Sequence, residues 1–418
     1  MSESAPNSGL GYQWRLIALL SVNFGFVLFD RNALSFLMPF VQPELRLNAT
    51  QVGILAGSLS LTWALAAFGM GVLADRFGGR KRLLVLCSLV FALCSFASGM
   101  VSSFAAMLTT RMLMGVAEGG IMPLSQTLIA AQVDRRHRGL AMGIAQGLGS
   151  SLMGSFVAPV VLVAFATAFG WRPAFFLAGA PGLVTALLMA AVIHEVQPDA
   201  PIAAGASEPR GSLREALRDG NVARCAVLSI VFVGYLVTCW AFMPLYLTQV
   251  RHYDPQTMGW LMGVLGIAAT LFSFAIPGLS DRIGRRPVMI VVPLLALILP
   301  LGALYLPGPL WLLAAMFFVG WTFTGIMPLF MATVPSESVD PRCIGSALGV
   351  CMGGSEILGG TLSPLIAGYA ADRVGLQAPL WGLIGLALVG GIAALGLRET
   401  APHVLAPPRV VAGRIDAS

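Results

Sequence analysis

The sequence predicts an all-α membrane protein with twelve transmembrane helices in two pseudo-symmetric six-helix halves. Three observations support this fold class. The chain of 418 residues is 57% hydrophobic and only 11% charged, whereas about a quarter of the residues in soluble domains are charged. Long stretches of the chain carry no ionisable side chain, and several short motifs recur at a constant spacing.

Twelve apolar stretches are each long enough for the roughly 20 residues that a helix needs to cross a bilayer. They lie at 16–40, 50–74, 83–102, 105–130, 139–165, 173–193, 222–248, 256–279, 287–306, 309–333, 344–371 and 378–397. The uncharged run at 287–336 contains two spans, because Pro307-Gly308-Pro309 interrupts it. The first stretch does not match a signal peptide, since its apolar part is too long and another span follows directly.

Basic residues are distributed unevenly among the connections. At least three occupy each of the connections 75–82, 131–138, 194–221 and 280–286 and the tail after residue 397. The connections on the other side carry only Arg46, Arg172, Arg251 and Arg373. Because basic loops stay in the cytoplasm, we expect both termini to be cytoplasmic. This bias explains the net charge of +6, so the charge gives no reason to expect nucleic-acid binding.

The chain repeats itself at an offset of about 205 residues. Gly-Ile-Met-Pro-Leu occurs at 120–124 and at 325–329, and Asp-Arg-Phe-Gly at 75–78 corresponds to Asp-Arg-Ile-Gly at 281–284. The repeat predicts an N-terminal six-helix half at 1–193, a cytoplasmic linker at 194–221 and a C-terminal half with a short tail at 222–418. Parallel halves of this kind place a binding site between them, near the midplane of the membrane.

One motif gives the first resemblance to a known family. The stretch Gly71-Val-Leu-Ala-Asp75-Arg76-Phe-Gly78-Gly-Arg80-Lys81 resembles the signature between helices 2 and 3 of the major facilitator superfamily, and weaker copies occur at 281–286 and 368–375. The resemblance covers essentially the whole chain and implies the major facilitator fold. It also implies that a charge latch favouring the outward-facing state is formed by gating residues Asp75, Arg76, Arg80, Asp281 and Arg282.

Five charged side chains lie well inside the predicted spans, away from the span ends: Asp30, Arg31, Arg111, Glu118 and Glu356. A charge at mid-bilayer costs about 2.5–3.5 kcal/mol even on the mildest scale, so these residues are functional candidates, with a structural ion pair as the alternative. Arg111 and Glu118 are seven residues apart and share one helix face, whereas Asp30 and Arg31 point about 100° apart. Phe323 is the counterpart of Glu118 in the second half, so ion handling is concentrated in the first.

These residue types suit the uptake of an anion with protons. A buried arginine offers a forked, permanently charged anchor for a carboxylate. A buried aspartate or glutamate can exchange protons near neutral pH, because burial disfavours its charged form.

The stretches Phe29-Asp30-Arg31-Asn32 and Arg111-Met-Leu-Met-Gly-Val-Ala-Glu118 are similar to the anion:cation symporter family within that superfamily. That family includes transporters of sugar acids, tartrate, phthalate and sialic acid. The resemblance implies that Arg31 holds the substrate carboxylate, that Asp30 and Glu118 take protons, and that Arg111 relays between the acids. It further implies substrate contacts from Gln146, Trp63 and Trp321, with packing alone as the alternative for each tryptophan.

Two positions depart from the family pattern. Leu28 stands where sugar-acid members often carry a tyrosine, and Glu356 stands close to the position of a common asparagine in helix 11. The changes fit a monocarboxylate with a less hydroxylated body, or a substrate that carries an amine or another donor group. Glu356 is therefore a candidate to bind either substrate or a proton.

The expected function is import of a small organic anion by proton symport through alternating access. We expect a monomer in the bacterial inner membrane, in contact with lipid, driven by the proton gradient without a cofactor or metal. The main alternative is a proton-driven drug or metabolite exporter of the same fold, although the helix 5 sequence at 147–159 lacks the Gly-Pro…Gly-Gly signature of such antiporters. A sensor would need an appended signalling domain, and an enzyme would need a catalytic cluster; the sequence predicts neither.

Overall fold

The computed structural model describes residues 10–77, 79–134, 136–145, 150–195 and 212–405, and within these ranges the regular structure is entirely helical. Twelve long helices follow one another: α1 (Leu10–Leu45), α2 (Ala49–Phe77), α3 (Arg80–Met100), α4 (Phe104–Gln132), α5 (Arg138–Gly143, Ser150–Val157 and Ala158–Phe169), α6 (Trp171–Val192), α7 (Gly220–Val250), α8 (Pro255–Ile283), α9 (Arg285–Tyr305), α10 (Leu310–Ser338), α11 (Pro341–Val374) and α12 (Gln377–Leu395). A helix satisfies its own backbone hydrogen bonds, as a segment in lipid must. The predicted all-α fold is confirmed.

Eleven helices of the described chain are long and apolar enough to cross a membrane. The exception among the twelve is α4, which has 29 residues and contains both Arg111 and Glu118. A short helix, Leu213–Arg218, begins at Ser212, whose side chain accepts a hydrogen bond from the backbone N–H of Glu215, and it leads into α7. The predicted linker at 194–221 lies largely outside the described residues.

Several helices are irregular near the middle of the bundle. Helix α1 is interrupted at Asn32, directly after Asp30 and Arg31. Helix α10 tightens into a 3₁₀ turn over Trp321–Ile326, and α11 widens into a π-helical turn over Ser355–Leu362. Such irregular turns often mark functional sites, and these three lie beside the candidate residues.

The two halves meet on one side of the membrane. We call the face where α1 begins and α12 ends the terminal face, and the other the opposite face. The halves contact each other through the helix pairs α1/α7, α2/α11 and α5/α8. Phe36 packs edge-on against Trp240, and Gln249 donates a hydrogen bond to Gln42 at 2.7 Å. These contacts belong to the helix ends near the opposite face, which is therefore the closed side of the bundle.

A hydrogen-bonded cap joins the halves at this closed face. Asp372, at the end of α11, accepts hydrogen bonds from the backbone N–H groups of Ala49 (2.8 Å) and Thr50 (2.9 Å), at the start of α2. Close by, a Cβ atom added to Gly53 would stand 2.2 Å from the carbonyl oxygen of Pro364, so the backbones of α2 and α11 touch. A carboxylate from one half thus caps a helix of the other.

Each half also places a glutamate at the terminal face. Glu195 accepts a hydrogen bond from the backbone N–H of Lys81 at 3.0 Å, at the start of α3. Glu399 accepts bonds from the backbone N–H groups of Arg285 (2.8 Å) and Arg286 (3.0 Å), at the start of α9. Burial raises the pKa of Glu399, but the backbone donors outweigh burial and hold this pKa below its ordinary value. The two glutamates are a repeated pair that the motif comparison does not reveal.

Candidate substrate and ion site

The buried charges lie near the middle of the membrane on two neighbouring helices. The interruption at Asn32 follows Asp30 and Arg31 on α1, and Asn32 donates a hydrogen bond to the carbonyl oxygen of Gly154 on α5 at 2.9 Å. Because Asp30 and Arg31 are adjacent on a helix, they face different neighbours. Each pairs with a separate region of the N-terminal half.

Arg31 is paired with the acid of α4. Its Nη1 lies 2.7 Å from Glu118 Oε1; the side chain of Arg31 is 19% exposed, and that of Glu118 is 2% exposed. The guanidinium of Arg31 also lies 5.7 Å from the centre of the Trp63 ring, within cation–π range. Arg31 is therefore an anchoring cation whose present counter-ion is a buried carboxylate.

Asp30 points to the other side of α1, toward α3. Ser95 donates a hydrogen bond to Asp30 Oδ1 at 2.7 Å. Arg111 donates to the hydroxyl of Ser98 at 2.6 Å, interacts electrostatically with Asp30, and lies 5.6 Å from the centre of the Phe175 ring. Each member of this second charge pair thus has a hydrogen bond to its own serine on α3, Asp30 to Ser95 and Arg111 to Ser98.

Several polar atoms of the site lack a hydrogen-bond partner among the described residues: Asp30 Oδ2, Glu118 Oε2, Arg111 Nε and Nη1, Glu356 Oε2 and Ser60 Oγ. An unsatisfied buried polar atom costs about 1–3 kcal/mol, and more when it is charged. A group of such atoms beside a cavity is typical of a binding site, where a ligand or a proton satisfies them.

Glu356 reaches the site from the C-terminal half. It lies on the widened turn of α11 and interacts electrostatically with both Arg31 and Glu118. Ser60 of α2 faces it: a Cβ atom added to Gly360 would be 2.9 Å from Ser60 Oγ and 3.0 Å from Glu356 Oε2. An acid of one half is thus brought close to the arginine of the other.

A cavity of about 70 Å³ lies between the halves at this level. Its N-terminal side includes Arg31, Arg111 and polar side chains, and its C-terminal side consists of α7 residues. The lining residues are Arg31, Asn32, Leu34, Ser35, Leu55, Ala56, Leu59, Ser60, Arg111, Leu236, Val237 and Trp240.

Trp321, a predicted substrate contact, is not among these lining residues. Trp321 is only 1% exposed and packs behind Trp240, with ring centres 5.4 Å apart. Gln146 lies outside the described residues, and its predicted contact stays a prediction.

The predicted gating residues lie at the terminal face. Asp281 forms an ion pair with Arg285, which also lies 3.2 Å from Glu337 Oε1. Arg282 follows with an exposed side chain, and Arg80 begins α3. Asp75 and Arg76 belong to α2, and their side chains are outside the described part of the structure.

Four residues of the site are not among those predicted: Ser60, Ser95, Ser98 and Trp240. Ser95 and Ser98 are three residues apart in the charge-free part of α3, and this spacing places both hydroxyl groups on one helix face. That pattern could have identified them, because polar side chains on one face of a transmembrane helix usually bond to a neighbouring helix.

Comparison with known proteins agrees with this architecture. The family model described as Major Facilitator Superfamily matches residues 20–357 and 240–413. A probable 4-methylmuconolactone transporter of Cupriavidus pinatubonensis is 29% identical over 91% of this chain and 92% of its own length. A probable sulfoacetate transporter of Cupriavidus necator is 26% identical over 86% and 87%.

Solved structures share the fold. The nucleoside transporter NupG superposes with a TM-score of 0.73 at 16% identity, covering 92% of this chain and 98% of that one. At this identity the likeness concerns the fold alone. The predicted two-half architecture is confirmed, and the protein is a multi-pass membrane transporter rather than an enzyme. The chain belongs to the Major Facilitator Superfamily.

Proposed function

We propose that the protein imports a small organic carboxylate together with protons, by alternating access across the bacterial inner membrane. The observation that supports this most strongly is the Arg31–Glu118 pair beside the cavity, with its 2.7 Å contact. In it, a cation able to anchor a carboxylate is held by an acid that a proton can neutralise.

Substrate and Glu118 compete for the same guanidinium. A carboxylate that enters the cavity is repelled by ionised Glu118 and finds Arg31 already engaged. A proton on Glu118 removes the repulsion and frees Arg31 to bind the substrate through charge-assisted hydrogen bonds. Anion binding and protonation therefore favour each other, and this is the coupling that a symporter needs.

The charge balance supports the same coupling. With all groups ionised, the three acids Asp30, Glu118 and Glu356 exceed the two arginines by one negative charge. A carboxylate added without a proton would increase the imbalance, at a cost of about 2.5–3.5 kcal/mol for each charge at mid-bilayer. Protons carried with the anion remove that cost before the halves move. The site then needs no metal or other cofactor, because the proton gradient supplies the energy.

The relatives agree with an organic acid as substrate. The C. pinatubonensis and C. necator proteins are named for 4-methylmuconolactone and sulfoacetate, and a Bacillus subtilis relative, 29% identical over 57% of this chain, is named a hexuronate transporter. Their substrates differ in size and polarity, so they support an acid without selecting one.

Orientation follows from the basic residues. The terminal face carries the basic connections, and the positive-inside rule assigns that face and both termini to the cytoplasm. The closed opposite face is then the outer one, and the described conformation is the inward-facing state. Rocking of the halves, as rigid bodies within a monomer surrounded by lipid, would expose the site to the outside. The charges around Asp75, Arg76, Arg80, Asp281 and Arg282 would latch the cytoplasmic face in that outward-facing state.

A proton-driven exporter of cations or lipophilic compounds is the second candidate. Its support is the excess of acids over arginines in the site, with Glu356 Oε2 lacking a partner among the described residues. In that case Asp30, Glu118 and Glu356 would form the substrate site.

A thermal-shift screen of the purified protein separates the two functions. The panel contains carboxylates, amines and drug-like cations at pH 5.5 and pH 7.5. We expect stabilisation by carboxylates, stronger at pH 5.5, and loss of this stabilisation in Arg31→Ala. Arg82→Ala is the matched control, because its side chain is 89% exposed at the terminal face. Stabilisation by cations alone, or by carboxylates equally in Arg31→Ala, would overturn the proposal.

A further inference from the structure

The cavity has two chemically different walls. The N-terminal half supplies every charged and polar lining residue. These are Arg31, Arg111, Asn32, Ser35 and Ser60, and they stand among Leu34, Leu55, Ala56 and Leu59. The wall from the C-terminal half consists of Leu236, Val237 and Trp240 of α7, which share one face because they are three and four residues apart. None of these three side chains carries a charge. A ligand whose carboxylate is held at Arg31 therefore places its body against an apolar surface.

Trp240 is the largest residue of that wall, and its ring is held from two sides. Phe36 of α1 packs edge-on against it, with ring centres 5.1 Å apart at 81°, and Trp321 does so at 5.4 Å and 77°. Its exposed fraction is only 6%. A ring held in this way loses little freedom when a ligand binds, so it offers a pre-organised aromatic surface.

The layer behind Trp240 is aromatic as well. Trp321 packs against Tyr235 and Phe323, with ring centres 6.3 Å and 4.9 Å away. Phe323 is the residue that stands at the repeat position of Glu118. In the C-terminal half, the position that corresponds to Glu118 is thus occupied by an aromatic ring. This ring packs against Trp321, which in turn supports the Trp240 ring.

The apolar wall discriminates against hydroxyl groups. A hydroxyl buried against Leu236 or Val237 loses its hydrogen bonds to water and gains none, which lowers affinity by roughly 5- to 150-fold for each such group. An apolar ring has no such penalty and gains stacking or edge contacts with Trp240. The hydroxyl group of Ser60, which lines the cavity beside Glu356, can accept or donate a hydrogen bond to one further polar substituent.

We propose that the substrate is a carboxylate carried on a compact apolar ring, and that Trp240 is the residue that selects this ring over a polyhydroxylated body. The inference rests on the proposed function, because it takes Arg31 as the anchor of the carboxylate. It narrows the substrate to one class of organic acid. It also assigns a role to Trp240, which lines the cavity, whereas Trp321 does not.

Calorimetric titration of the full-length protein at pH 5.5 tests the inference, with benzoate, gluconate and acetate as probes. We expect benzoate to bind at least tenfold more tightly than gluconate. In Trp240→Leu the affinity for benzoate should fall about tenfold, while the affinity for acetate, which has no body to stack, changes less than threefold. Trp260→Leu is the matched control, because Trp260 lies on α8 with 57% of its surface exposed and away from the cavity lining.

A second variant keeps the test decisive if Trp240→Leu does not fold. Leu236→Asn adds hydrogen-bonding groups to the same wall and should narrow the benzoate-to-gluconate ratio at least tenfold. Tighter binding of gluconate by the wild type, or an unchanged ratio in the folded variants, would overturn the role of Trp240. If one of these results is obtained while the wild type binds carboxylates and Arg31→Ala does not, this inference fails and the proposed function stands. If the wild type binds no carboxylate, both the proposed function and this inference fail.

Discussion

Replacing Glu118 by glutamine tests the coupling at its centre. The substitution keeps the shape of the side chain and one hydrogen bond to Arg31, but removes the charge that competes with substrate. Two unit charges about 4 Å apart interact by about 4 kcal/mol at an effective dielectric constant of 20. The glutamine keeps a hydrogen bond to Arg31, so about 1.5 kcal/mol of this competing interaction remains in the variant. The 2.5 kcal/mol or so that is lost corresponds to roughly 60-fold tighter binding of a carboxylate at neutral pH.

The assay has two parts. Titration of the purified variant with a carboxylate at pH 5.5 and pH 7.5 should show tight binding that no longer depends strongly on pH, whereas the wild type binds more tightly at pH 5.5. In proteoliposomes, proton-driven accumulation should be lost while exchange of substrate across the membrane remains.

Glu44→Gln is the control for this experiment, because Glu44 pairs with Arg172 at an exposed position, with 51% of its side chain accessible. It should behave as the wild type in both parts. Weaker binding by Glu118→Gln, or wild-type accumulation, would refute the competition between Glu118 and substrate.

Three further predictions concern the closed face and the terminal face. Asp372→Ala removes the cap on the first residues of α2 and should disfavour the closed opposite face by about 1–2 kcal/mol, a 5- to 30-fold population shift. Spin-label distances between the halves measure this population shift. The control is Asp254→Ala, which removes the N-terminal cap of α8 and should leave the distances unchanged. Gly53→Ala should shift the same distances in the same direction, because its Cβ atom would stand 2.2 Å from Pro364 O; unchanged distances would contradict the tight contact of α2 with α11 at this position. Glu399→Gln should lower the melting temperature by about 1–2 °C at pH 7. Because the pKa of Glu399 is lowered in the folded protein, its stabilisation is present above the ordinary value of 4.5 and is lost as the pH falls through the folded value. The difference between the two proteins should therefore disappear in acid, and a difference that persists would contradict this role.

Much of the fold follows from the sequence. The long apolar spans locate the twelve helices, because only a helix can satisfy its backbone in lipid. The offset of about 205 residues assigns them to two halves, and the five buried charges identify the level of the site. These features depend on local composition and on duplication, both of which a single chain displays.

The geometry of the site depends on features that the sequence does not display. Trp321 is buried at the start of the 3₁₀ turn over Trp321–Ile326, and the tryptophan that lines the cavity is Trp240 of α7. The cap formed by Asp372 joins residues 323 positions apart in the chain. Which face is closed depends on a small free-energy difference between two arrangements of the halves, and local patterns carry no information about it.

Counting protons during binding tests the central claim most directly. Calorimetric titration with benzoate at pH 7, in two buffers of different ionisation enthalpy, gives the number of protons taken up with each carboxylate bound. We expect about one proton for each carboxylate in the wild type and close to none in Glu118→Gln, since the glutamine has no proton to gain. Carboxylate binding to the wild type without proton uptake would contradict the claim that substrate and proton enter the site together.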